Sequence, residues 1–170
     1  MAGRNHLKLF RWGLSLLILL GGAVCPLTGW ALGVHPYDIP VSFDVVAQGA
    51  YSGVTEAGFK EIKTPEAWEA LWQQVQSTLV PVPAAPSVDF QNFEVLAVFM
   101  GQRGNGGYHI RISEIKPQRA ELCVTVVSTE PGPGCLTTMA LTQPYQMVLV
   151  PRLSGPVVFV AETVSRPCRE

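Results

Sequence analysis

Histidine is scarce in this chain, charge is thin, and no apolar run is long enough to cross a bilayer. Of the 3 histidines in 170 residues, only His35 and His109 lie beyond the N-terminal segment. Neither has a nucleophile or carboxylate at a spacing that suggests general-base work, and His109 falls on the polar face of an alternating stretch, where solvation accounts for it. No C-x-x-C pair occurs, and no histidine stands at ligand spacing from Cys123 or Cys135, which argues against zinc. Carboxylates are scattered rather than paired. The sequence therefore leads us to expect no catalytic residue, no metal, no cofactor and no enzymatic activity. Charged residues make up 15% of the chain and form no basic cluster, which argues against nucleic acid as a partner. Internal repeats and low-complexity tracts are missing too.

What is present begins with a leader. Arg4, Lys8 and Arg11 precede an apolar run from Trp12 to Val24, followed by small residues, the layout of a secretory signal peptide. The run is about 13 residues, well short of the ~20 that a spanning helix needs. Residues 1–31 read as the signal, with cleavage after Ala31 and Gly29 in the small-residue slot. Residues 32–40 read as an extended lead-in kept out of helix by Pro36 and Pro40, and residues 41–170 as a single domain. Export to the periplasm or cell envelope, or secretion, follows. Membrane attachment would need the leader retained or Cys25 lipidated, and Gly22 and Val24 are poor neighbours for a lipidated cysteine. Without residues 1–31 the chain keeps 9 basic against 13 acidic residues, a net charge of about −4 and a mildly acidic surface. Cys123, Cys135 and Cys168 then remain, an odd count for an oxidising compartment. Cys135 with Cys168 is the favoured disulfide, tying a Pro-Gly turn to the C-terminal tail and leaving Cys123 as a thiol; Cys123 with Cys135 is the alternative.

The strongest local signal is "TPEAWEALWQQVQSTL". Thr64 can cap a helix and Pro65 suits its first position, where a missing N–H is harmless. Trp68, Leu71, Trp72, Val75 and Leu79 follow at helical spacing, with Glu69, Gln73, Gln74 and Ser77 opposite. This predicts one amphipathic helix laid on a sheet, its tryptophans as core anchors. "VPVPAAPSVD" reads as an extended surface connection. "FEVLAVFMG" is apolar on both faces, which belongs in the middle of a covered sheet. "YHIRISEI" alternates Tyr108, Ile110 and Ile112 inward, and "ELCVTVVS" alternates Leu122, Val124 and Val126 inward, with "KPQR" as the turn between. With "VSFDVVAQG", "GFKEIK", "YQMVLVP" and "VVFVAETV" this makes about seven strands and one helix, an α+β domain of mainly antiparallel sheet paired almost entirely by hairpins.

One loop stands out. "GQRGNGGY", Gly101 to Tyr108, holds four glycines but is followed by a strand rather than a helix, and it carries no Lys-Ser/Thr pair. A phosphate cradle is excluded on both counts. Asn105-Gly106 is a favoured turn pair, yet a minimal turn needs fewer glycines, and each extra one costs roughly 0.5–1 kcal/mol in backbone entropy. The surplus suggests a special backbone path or close approach by another chain. A second cluster, "EPGPGC" ending at Cys135, can lie beside the first.

Taken together, "PEAWEALW", "VLAVFMGQRGNGGYHIRI" and "EPGPGCLTTMALTQPYQMVLVPR" resemble the C-terminal domain of the protease complex subunit PrcB family, over roughly Phe59 to Val160. The motifs carrying the resemblance are the tryptophan helix, a G-x-x-x-x-G-G-Y loop, the PGPG turn ahead of Cys135, and T-x-P-Y at Thr142 to Tyr145. The resemblance implies a secreted or envelope-attached bacterial domain named for a subunit that associates with a surface subtilisin-like protease. Two functions compete. In one, the domain docks on a protein partner such as an extracellular protease through Gln102, Arg103, Gly104, Asn105, Gly106, Gly107 and Tyr108, together with Pro131, Gly132, Pro133 and Gly134. Arg103 and Asn105 would supply polar contacts and Tyr108 an aromatic anchor. In the other, it is a structural envelope domain whose glycines only shape a hairpin.

Overall fold

The structure, a computed structural model, describes residues 39–118, 121–152 and 154–168. The expected leader, Cys25, His35 and most of the expected lead-in lie outside the described residues. Within them are seven strands and one helix: β1 (Asp44–Gly49), β2 (Ala57–Ile62), α1 (Pro65–Val75), β3 (Phe93–Met100), β4 (His109–Gln118), β5 (Glu121–Pro131), β6 (Tyr145–Pro151) and β7 (Val157–Arg166). The α+β, mainly β class holds.

The strands form two sheets, one of four in the order β1-β6-β3-β2 and one of three in the order β4-β5-β7. The double-faced strand β3 explains the layering. Val95, Ala97 and Phe99 face α1, joining Trp68, Leu71, Trp72 and Val75 in one core. Leu96, Val98 and Met100 face the other way and meet Ile110, Ile112, Ile115, Leu122, Val124 and Val126 of the three-stranded sheet in a second core. Helix, sheet and sheet are thus stacked, and period-2 alternation feeds both interfaces from one strand.

Pairing departs from the hairpin expectation. Only β4 and β5 are joined by a short turn; β6 inserts between β1 and β3, and β5 pairs with β7 in parallel. Alternation reveals which face of a strand is buried but not which strand lies beside it. Lys116, Pro117 and Gln118 of "KPQR" are still strand, because pairing continues through Pro117↔Leu122 to Gln118↔Glu121. Proline is tolerated there because β4 is an edge strand with no ladder bond required on its outer side. A bulge between Ile112 and Glu114 shifts the register, so that Ile112 and Ile115, three apart, both reach the core while Glu114 stays outside, paired with Lys116 at 2.8 Å.

Helix α1 begins as its sequence predicts. The Thr64 side chain accepts from the Ala67 N–H at 3.3 Å, with Pro65 in the first turn. It ends a turn early, at Val75, and Leu79 is exposed. The last carbonyls are taken from outside the helix ladder: the Gly53 N–H donates to the Val75 carbonyl at 3.0 Å and the Ser77 hydroxyl to the Gln74 carbonyl at 2.9 Å. The proline-rich connection is pinned by the tryptophans, whose indole N–H groups donate to the Pro86 carbonyl (Trp68, 2.8 Å) and the Pro83 carbonyl (Trp72, 2.9 Å).

Candidate functional site

Strand β3 ends at Met100 and delivers the chain into the glycine loop. Gly107 has a φ of +91°, a left-handed conformation that side-chain-bearing residues avoid. Gly106 is buried, and a Cβ there would run into the Thr138 side chain. At Gly106 the close approach is made by this chain's own Thr138. Gly104, by contrast, faces open space.

The neighbour is the segment after the PGPG turn. The Arg103 N–H donates to the Thr142 carbonyl at 2.8 Å and the Thr142 N–H returns a bond to the Arg103 carbonyl at 3.0 Å. The Gly106 N–H donates to the Thr138 carbonyl at 2.9 Å, and the Thr142 hydroxyl to the Asn105 carbonyl at 2.9 Å. Residues 135–142 are in this way strapped to the loop.

Of the polar side chains assigned to partner contact, Arg103 meets Tyr108 of the same loop. Arg103 is half-buried, its guanidinium carbon 5.6 Å from the centre of the Tyr108 ring, an arrangement in which the cation meets the ring face. Tyr108 is half-buried and packs against the second core. Arg103 Nε and Asn105 Oδ1 are buried without a hydrogen-bond partner among the described residues. Gln102, Gly104 and Gly107 are exposed.

The second cluster does lie against the first. A Cβ on Gly107 would stand 3.4 Å from the Pro131 side chain. Pro131 and Gly132 are half-buried, Pro133 and Gly134 exposed. The turn is held to the end of β7 by the Gly132 N–H, which donates to the Arg166 carbonyl at 2.8 Å, and by the Cys135–Cys168 disulfide. The expected pairing is present, but Cys123 is no leftover thiol: it is disulfide-bonded as well.

Sequence reasoning missed the apolar side chains of the strapped segment. Leu136, Met139 and Leu141 are 103%, 97% and 58% exposed, against at most 8% for the core residues of either sheet. Their signal was in "CLTTMAL", three large apolar residues between two strands that fit neither strand's alternation. These side chains project from the segment that backbone hydrogen bonds hold to the glycine loop.

His109 is exposed at the start of β4. Among the described residues no group of three His, Cys, Asp or Glu side chains is placed to hold a metal, and no helix is long and apolar enough to cross a membrane.

No curated protein and no solved structure matches the chain. A family model does, over residues 95–151, a narrower stretch than the motifs suggested: it runs from β3 to β6, excludes the tryptophan helix, and includes the glycine loop, the PGPG turn and the exposed apolar segment. That model is described as PrcB C-terminal, so residues 95–151 carry a match to the same family that the sequence motifs resemble.

Proposed function

We propose that this is a non-enzymatic, exported protein-binding domain that associates with a protease complex in the periplasm or cell envelope, docking through the glycine loop, the PGPG turn and the segment from Leu136 to Leu141. The observation that carries the reading is the exposure of Leu136, Met139 and Leu141 on a segment held by backbone hydrogen bonds to the loop. Three large apolar side chains left exposed within six residues, on a scaffold with two well-filled cores, support an interaction site. Burying each side chain against a partner is worth roughly 1.5–3 kcal/mol. The straps and the disulfide fix the segment before docking, which lowers the ordering cost of association. The family match supports a protease complex as the setting, and two disulfide-bonded positions, Cys123 and Cys135, support an oxidising compartment.

A structural role for the loop has its own supporting observation. Tyr108 packs on the second core and Gly106 makes room for Thr138, so much of the loop is explained by this chain's own fold. That reading leaves Leu136 and Met139 unaccounted for, which is why docking is preferred.

The deciding experiment is capture from envelope extract of the producing cell by wild type and by a Leu136→Ser/Met139→Ser variant, with bound proteases revealed by an active-site-directed probe. Retention of a labelled protease by wild type, reduced at least about tenfold by the loss of both side chains, is the expected result. Equal capture by the folded variant would sink the docking surface.

A further inference from the structure

A groove of about 630 Å³ lies between the C-terminal end of β1 and the N-terminal end of β4, within the size range of clefts that hold small ligands or peptide segments. Gln48, Gly49 and Ala50 form one wall; His109, Ile110 and Arg111 form the other, and Arg166 and Thr129 border it. No carboxylate lines it. Among the described residues neither Arg111 nor Arg166 forms an ion pair, although Lys63 and Lys116 both do. Two arginines with no ion-pair partner among the described residues thus line one groove, on a chain whose acidic residues outnumber its basic ones, 13 to 12.

The backbone of this groove is also unusual. Strand β4 pairs only with β5. The Ile112 N–H turns away from β5 and donates to the Gln146 side chain at 2.7 Å. Residues two apart on a strand point their N–H and C=O groups the same way, and the bulge begins only after Ile112. Ile110 therefore presents its N–H and C=O toward the groove, where no strand of the described fold covers them.

We infer that this groove is a binding site for an extended acidic peptide segment, which adds along the outer edge of β4 at Ile110 and places carboxylates on Arg111 and Arg166. Edge pairing supplies main-chain affinity and the guanidinium groups select acidic side chains through charge-assisted, bidentate bonds. The site does not depend on Leu136, Met139 or Leu141.

The test is a fluorescence anisotropy titration of the purified, oxidised protein with a labelled, end-blocked hexapeptide alternating Val and Glu. Saturable binding is expected, weakened roughly tenfold or more by Arg111→Gln, by Arg166→Gln, and by replacing Glu with Gln in the peptide. Lys60→Gln, away from the groove, should leave it unchanged, and so should Leu136→Ser/Met139→Ser, which separates this site from the docking surface. In amide correlation spectra the Ile110 signal should shift on addition of peptide. Absence of saturable binding, or binding to both arginine variants as to wild type, overturns the inference. Competition by inorganic phosphate as effective as that by unlabelled peptide also overturns it, since the groove would then be a simple anion site.

Discussion

Arg103 and Thr142 exchange backbone hydrogen bonds in both directions, 2.8 and 3.0 Å, so that two loops 39 positions apart in sequence behave as one short antiparallel bridge. That bridge ties to the glycine loop the segment from which Leu136, Met139 and Leu141 project.

The tightest part of the same strap is Gly106 against Thr138. Gly106→Ala places a methyl on the Thr138 side chain and should destabilise the domain by about 1–3 kcal/mol, as overpacking does. Thr138→Ala removes the atom in the way. In a double-mutant cycle followed by urea unfolding, the pair should cost less than the sum of the two single changes. Strict additivity would show that the crowding is absent.

Trp68 carries both apolar area and one buried donor. Trp68→Ala should cost about 3–5 kcal/mol, and Trp68→Phe about 1–2 kcal/mol, since a smaller ring fills part of the site while the bond to the Pro86 carbonyl is lost. Trp68→Phe should also loosen residues 80–88, read as faster amide exchange or proteolysis there while the strands remain protected.

The legible parts of the fold were those coded by local periodicity. Thr64-Pro65 announced the helix start, and the double-faced alternation of Phe93 to Met100 announced a strand covered on both sides. What periodicity omits is the partner. The insertion of β6 between β1 and β3 and the parallel pairing of β5 with β7 join segments far apart in the chain, and no short-range pattern encodes them. The helix end was misplaced because Gly53, a distant residue, caps it. At the site, the two glycine clusters were readable from composition, whereas Met139 and Leu136 are apolar residues that only a three-dimensional surface reveals as exposed. The groove at Ile110 depends on an unpaired strand edge and was equally invisible.

Glu94 is almost fully buried, 1% exposed, and its carboxylate meets Lys63 only at 3.8 Å. Burial, helped by the neighbouring Glu61 charge, pushes its pKa above the usual 4.5, while Lys63 and Arg152 pull the other way less strongly. The folded state thus holds this proton more tightly than the unfolded chain. The stabilisation linked to protonation is complete below pH 4.5 and is lost as pH rises through the elevated folded value. Glu94→Gln, neutral throughout, should therefore be more stable than wild type at neutral pH, with the advantage shrinking toward pH 4. Urea midpoints across that range check it, and a constant difference would mean that Glu94 titrates alike in both states.

One buried amide bridges the two sheets beside their apolar core. Gln146 is 5% exposed; its Oε1 accepts from the Ile112 N–H at 2.7 Å and its Nε2 donates to Gln48 Oε1 at 2.9 Å. A single side chain on β6 thereby satisfies an edge donor of β4 and holds β1 alongside. Gln146→Leu keeps much of the volume but leaves the Ile112 N–H buried and unpaired, which costs about 1–3 kcal/mol. Gln146→Glu keeps the acceptor for Ile112 but loses the donor to Gln48 and introduces a charge into the seam, so it should be tolerated at acid pH and destabilising at neutral pH. Measuring both variants by denaturant unfolding separates the two bonds. If Gln146→Leu is neutral, the sheets are held by apolar packing alone, and the amide contributes only to the choice of register.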